Sequence, residues 1–214
     1  MTNNDYKSIT KEAYNSVSKE YMERDKGVVD ESLDIKIALD KFTDLVPSKA
    51  HILDIGSGGG RDSRFFYEHG FRVTGIDFSE KMIDGARAIQ PNIDYRVMDL
   101  ENMDFPNQEF DAIWANASLH HIPKANLPKV LNKINQILRG DGLFFIKVKH
   151  GDKDSILEND KFGRKIKRHF SFYKQDELRQ LLESAGFSIK SSELTTKEEW
   201  VDIFAKKESI AEFI

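Results

Sequence analysis

Short apolar runs alternate with amphipathic stretches along most of this chain. That alternation predicts an α/β protein whose seven-stranded, mostly parallel sheet is covered by helices on both faces. Two further observations add detail. A glycine-rich turn stops the first apolar run, as in folds that hold a ligand outside the carboxyl ends of their strands. The last two runs lie too close together for a crossover helix, so one of them is antiparallel to the rest.

In chain order, a helix is expected over Thr10 to Arg24 and another over Glu31 to Leu45, with Leu33, Ile37 and Leu45 at helical spacing and Pro47 as the stop. His51-Ile52-Leu53-Asp54-Ile55 is the first strand, ended by glycines. A helix over Asp62 to His69 is closed by Gly70. Phe71 to Ile76 is the second strand, and Ser79 caps a helix running to about Ile89. Ile93 to Met98 is the third strand and Phe110 to Ala115 the fourth. Lys124 to Leu138 forms a long helix, with Leu127, Val130, Leu131, Ile134, Ile137 and Leu138 on one face. Gly140-Asp141-Gly142 is a turn before the fifth strand, Leu143 to Val148. A polar, basic connection spans Lys149 to His169. Asp176 to Ser184 is helical and stops at Gly186, and Phe187 to Glu193 and Trp200 to Ala205 close the sheet.

The 214 residues suit one domain, and 39% hydrophobic content is enough for a real core. A formal charge of −4 gives no global attraction to nucleic acid or anionic membrane. With no cysteine, disulfides, thiolate metal sites and a cysteine nucleophile are excluded. Met1 to Lys11 is polar, unlike a signal peptide, and no run is long enough to span a bilayer, so a cytoplasmic protein is expected.

The glycine turn reads Gly56-Ser57-Gly58-Gly59-Gly60. A dinucleotide loop wants G-x-G-x-x-G, but the third glycine position holds Arg61. Asp54 also sits two residues before the first glycine, inside an otherwise apolar strand. A carboxylate facing a diphosphate is unfavourable, whereas one facing an ammonium or sulfonium is favourable. The loop therefore points to a cationic nucleoside ligand without a diphosphate.

These residues resemble the class I, Rossmann-like methyltransferases that use S-adenosylmethionine, whose first motif is an acidic residue followed by G-x-G-x-G. The likeness runs through most of the chain and points to the branch acting on small molecules. It implies a three-layer fold with an N-terminal helical cap and a cofactor held by Asp54, Gly56, Ser57, Gly58 and Gly60. Asp77 stands where the family places the carboxylate for both ribose hydroxyls, about 20 residues beyond the loop. Phe78 and Met82 follow where apolar groups pack near the adenine, and Asp99-Leu100 resembles the adenine-edge motif. Ala115 to His121, which includes Asn116, Ser118, His120 and His121, resembles the motif lining the methyl-transfer site. Ile137 to Gly142, Phe172 to Leu178 and Ser184 to Phe187 resemble later family segments. The (Asp/Asn)-Pro-Pro-(Tyr/Phe) motif of DNA amino-methyltransferases is absent.

The implied reaction is methyl transfer by in-line displacement to an unidentified small-molecule acceptor. S-adenosylhomocysteine is the second product, and no metal or DNA is expected. RNA and protein acceptors stay open, as do monomer and homodimer. A non-catalytic cofactor-binding or partner module and an NAD-dependent oxidoreductase are the rival readings.

His120 and His121 are candidate general bases, since imidazole titrates near neutrality, or else structural histidines. Tyr14 and Tyr21, seven residues apart, share a helix face and either cover the sulfonium or pack in the core. The basic run Lys161 to His169 reads as a solvated surface, with recognition of an acidic or phosphorylated group or of RNA as the alternative. It falls where family members insert a substrate lid, so Phe170 and Tyr173, with Ser118 and His120, are candidate acceptor contacts. The expected organisation is a cap over 1–47, a methyltransferase domain over 48–207 with a lid at 150–173, and a tail over 208–214.

Overall fold

The structure, a computed structural model, describes residues 5–25 and 33–209; the start of the expected Glu31 helix and the end of the expected tail lie outside them. Two helices open the chain, α1 (Asp5–Ser16) and α2 (Ser18–Asp25), followed by α3 (Leu33–Leu45). Then come β1 (His51–Ile55), α4 (Arg61–Glu68), β2 (Arg72–Asp77), α5 (Glu80–Ile89), β3 (Asp94–Val97) and β4 (Phe110–Asn116). The second half holds α6 (Leu127–Ile137), β5 (Leu138–Lys149), β6 (Asp154–Lys161), β7 (Arg164–Ser171), α7 (Gln175–Ser184), β8 (Phe187–Thr195) and β9 (Trp200–Lys207).

Seven strands form one sheet in the order β3-β2-β1-β4-β5-β9-β8. β9 runs antiparallel to both neighbours, and the other pairings are parallel. Period-two alternation divides each central strand between two cores. Ile113 and Ala115 of β4, with Phe144 and Ile146 of β5, pack under α6 and α7. Ala112 and Trp114, with Phe145, face α3, α4 and α5. Strands buried on both faces are why these segments read as continuous apolar runs. The order reverses beside β1, so the carboxyl ends of β1 and β4 open the crevice where doubly wound sheets place ligands. Among the described residues, no helix is long and apolar enough to cross a membrane.

Four expectations change. The helix expected over Thr10 to Arg24 is two helices, broken at Val17, whose side chain turns inward to pack with Ala13 and Ile166. In α3 the buried face carries Ile35, Ala38, Leu39 and Phe42, while Ile37 and Leu45 are 54% and 48% exposed. Spacing alone left that choice of stripe open. The Gly140-Asp141-Gly142 turn is an irregularity within β5, where Asp141 takes φ +60 and the register against β4 jumps.

The largest change is the polar connection after β5, which forms the β6–β7 hairpin, a second sheet. Its two-residue turn, Phe162-Gly163, has φ +55 and +73, a left-handed pair that hairpins favour but usually fill with Asn-Gly. The inward positions of β7 hold Ile166 and Arg168 rather than an apolar pair, which hid the alternation. α1 lies on this hairpin: the backbone N–H of His169 donates to Thr10 Oγ1 at 3.0 Å, and Arg164 Nη1 donates to the Ser16 carbonyl at 2.8 Å.

Candidate active site

A cavity of about 560 Å³ lies at the carboxyl ends of β1, β2 and β4, between the sheet, α1 and the hairpin. The glycine loop forms one end. Gly56 takes φ +74, and a Cβ there would overlap the side chain of Ser118, so the loop can lie flat against the turn after β4 only as glycine. Gly58 takes φ +52, and a Cβ there would meet nothing within 4 Å, so it faces open space along the cavity wall. Gly60 does not line the cavity; it is glycine because a Cβ would strike the Tyr95 ring.

Carboxylates surround this end. Asp54 is 3% exposed, and its Oδ2 accepts from Ser63 Oγ at 2.6 Å. Burial pushes its carboxyl up, and the charge of Asp62 adds to the effect. Burial also opposes ionisation of Asp62, but Arg61 and donors from Asn116 Nδ2 (2.8 Å) and Trp114 Nε1 (2.9 Å) outweigh it and hold it low. Asp77 accepts from the backbone N–H groups of Gly58 at 3.1 Å and Ser79 at 2.8 Å; burial still raises it to about 6. Buried carboxylates whose ionisation burial resists, as in Asp54 and Asp77, gain by facing a ligand cation. This chemistry, with the open face of Gly58 and the buried, unpartnered Oγ of Ser57, fits a polar, cationic nucleoside ligand.

Phe78 after β2, Met82 of α5, and Asp99 and Leu100 after β3 extend the wall. Asp99 accepts from Lys7 Nζ of α1 at 2.7 Å and from the backbone N–H of Glu101 at 3.0 Å. Burial raises its carboxyl, but these donors outweigh that and keep it low. Tyr14 and Tyr21 both face the cavity, with ring centroids 5.8 Å apart, although the helix between them is broken.

The other end lies beyond Asn116. Ala117 takes φ +55 and swings Ser118, His120 and His121 beneath the loop. His121 Nδ1 lies 2.6 Å from the His169 carbonyl, which can only accept, so Nδ1 carries the proton. Nε2 then accepts from the Tyr14 hydroxyl at 2.7 Å. With both nitrogens engaged, and burial pressing its pKa down to about 3, His121 is a neutral strut between α1 and β7. His120 is 2% exposed, its Nδ1 has no partner, and burial, reinforced by His121 and Arg168, holds it well below the ordinary range. It stacks on Phe170, with centroids 5.3 Å apart. Tyr173 does not line the cavity; it is fully buried in the core beneath α6 and α7.

Sequence reasoning missed Asp62, Lys147, Lys149 and Trp200, and it named Arg168 only within a basic run whose first reading is solvated surface. Asp62 left a signal, a charged residue in a helix turn next to the glycine loop. The others left little, because lysines at a strand end and one arginine in a basic run look like solvated surface.

The sequence pattern of a family described as a methyltransferase domain matches residues 32–192. The chain is 38% identical over 99 residues to a ubiquinone biosynthesis O-methyltransferase of Coxiella burnetii, covering 44% of this chain and 42% of that protein. It is 34% identical over 126 residues to 27-O-demethylrifamycin SV methyltransferase of Amycolatopsis mediterranei, covering 53% and 46%. The chain thus aligns with less than half the length of either relative. Its fold is similar to that of 1,6-didemethyltoxoflavin-N1-methyltransferase of Burkholderia thailandensis, solved with 1,6-didemethyltoxoflavin and S-adenosylhomocysteine, with a TM-score of 0.74, 22% identity and coverage of 98% and 92%.

Proposed function

Since the chain belongs to the methyltransferase-domain family, we propose that it moves a methyl group from S-adenosylmethionine to a small-molecule acceptor. One observation carries this reading: the cavity runs without interruption from the glycine loop and its carboxylates to a compartment walled by His120 and Phe170, space for an acceptor beside the cofactor. The named activities of the Coxiella and Amycolatopsis relatives support the small-molecule class.

The cofactor supplies a sulfonium-activated methyl carbon, delivered by in-line displacement with S-adenosylhomocysteine as the second product. Asp77 would hold the ribose hydroxyls and Asp99 the adenine amine, while Asp54 and Asp62 set a negative field for the cationic portion. Tyr14 and Tyr21 would cover the sulfonium with their rings. α1 and the hairpin would act as cap and lid, the cap within 1–47 and the lid within 150–173, excluding water and aligning the acceptor, an effect that alone supplies about 7–11 kcal/mol. His120, neutral and of low basicity, would contribute modestly as a base, which suits an acceptor that arrives already ionised.

Titration calorimetry with S-adenosylhomocysteine tests the cofactor assignment. Asp77→Ala should weaken binding by about 2–3 kcal/mol, the scale of hydrogen bonds to a charged group. Wild-type affinity in that variant would remove Asp77 from the ribose site.

A further inference from the structure

Arg168 is a buried cation with no counter-ion among the described residues. It is 6% exposed and lines the far end of the cavity. Among the described residues it makes no ion pair. Its Nη1 donates to the Tyr14 hydroxyl at 3.1 Å and its Nη2 to Asn159 Oδ1 at 2.9 Å, both neutral oxygens. Its Nε is buried with no acceptor. Burying an unpaired charge is costly, and a guanidinium retains donors suited to a carboxylate after two of its five N–H groups are used.

Lys149 stands in the same compartment. Its Nζ lies 4.0 Å from the centre of the Trp200 ring, and its ion pair, with the exposed Glu199, is a loose 3.6 Å. Burial lowers its pKa. Lys147 differs, because Asp202 answers its charge at 2.8 Å with both groups buried. The exposed Asp160, also on the cavity wall, caps the hairpin turn at Gly163. The compartment therefore holds cationic charge that its own buried carboxylates do not balance.

The walls add a shape. His120 lies between Phe170, at 5.3 Å and 25° between ring planes, and Trp200, at 5.6 Å. Such surfaces favour a flat ring.

We propose that the acceptor compartment binds a planar aromatic or heteroaromatic anion, its ring along the aromatic wall that His120, Phe170 and Trp200 form together and its negative edge toward Arg168 and Lys149. This rests on the methyltransferase reading above and names the class of its acceptor. A neutral ring would leave Arg168 unpaired, and a cationic amine would be repelled.

The test is titration calorimetry on protein saturated with S-adenosylhomocysteine, using salicylate against salicylamide, nicotinate against nicotinamide, and cyclohexanecarboxylate as an anion without a flat ring. Each aromatic acid should bind about tenfold tighter than its amide, the scale of a charge-assisted hydrogen bond, and tighter than the non-planar acid. Arg168→Met should abolish most of that preference. Lys149→Met should reduce it too, and it serves as the test if Arg168→Met does not fold. Both variants should keep wild-type affinity for S-adenosylhomocysteine. Equal binding of acid and amide, binding of neither, or an acid preference untouched in the variants would each defeat the proposal. Failure of the wild-type protein to bind S-adenosylhomocysteine would instead defeat the cofactor reading beneath it.

Discussion

The two ends of the cavity are built in opposite ways. The glycine-loop end is acidic and local: Asp54, Gly56, Gly58 and Asp77 sit at the ends of two adjacent parallel strands, within 24 positions of one another in the chain. The far end is cationic and dispersed, drawing Lys149 from β5, Arg168 from β7, Trp200 from β9 and Tyr14 from α1. One end requires a backbone conformation, and the other only a convergence of charges and rings. A backbone requirement restricts residue type and leaves a motif; a convergence can be assembled from many chain positions and leaves none.

The largest expected effect tests whether Lys147 belongs to the fold rather than to the anion site. Lys147→Met strands Asp202 as a buried charge and should cost about 3–5 kcal/mol in urea denaturation. Adding Asp202→Leu should restore most of it. A small loss in the single variant would mean that Lys147 is solvated and available to ligands, which would blur its contrast with Arg168.

Next comes the backbone requirement of the loop. Gly56→Ala places a Cβ against Ser118 at φ +74 and should cost about 1–3 kcal/mol in thermal or chemical melts, with S-adenosylhomocysteine affinity falling as well. Unaltered affinity and stability would show that the loop is less tightly held than its packing indicates.

The acidic end should also show in pH. A cationic ligand prefers the ionised carboxylates, and Asp77 is raised to about 6 with Asp54 raised as well. Affinity for S-adenosylmethionine should therefore climb as pH rises through about 6, by at most tenfold per unit for each proton released. The same raised values act oppositely on the ligand-free fold. A native state that binds protons more tightly than the unfolded chain loses that stabilisation as pH rises from the ordinary carboxylate range through about 6. Calorimetry in buffers of differing ionisation enthalpy would count the protons, and a flat profile would remove the carboxylates from ligand binding.

The smallest effect concerns Tyr14. Tyr14→Phe keeps the ring and should leave S-adenosylmethionine affinity nearly unchanged, while Tyr14→Leu should lose about 0.5–2 kcal/mol. If the phenylalanine variant loses as much as the leucine variant, the hydroxyl's bonds to His121 and Arg168 matter more than the ring face.

Legibility followed the same divide. The glycine loop, Asp77 and the Ser79 cap were readable because each is a short-range constraint. Seven-residue spacing puts Tyr14 and Tyr21 on one face of one helix; the helix breaks between them, yet their rings still meet because both face the cavity from either side of Val17. Tyr173, an expected acceptor contact, lies in the core, since an aromatic after a strand reads alike in both settings. The basic run divides: Arg164, Lys165 and Lys167 are exposed, as expected, while Arg168 and His169 are buried. Only the pairing of β6 with β7 decides which residues of that run are buried.

The sequence by itself determined the parallel sheet, the position of the glycine loop and the acidic character around it, because hydrophobic period, glycine conformation and strand-end carboxylates are encoded by neighbours along the chain. The tertiary structure alone decided which histidine is tied up between α1 and β7, which lysine is neutralised, and that Arg168 is buried with no counter-ion among the described residues. Those depend on what stands opposite a side chain across tens of residues, and burial sets the charge state only once the partners are in place.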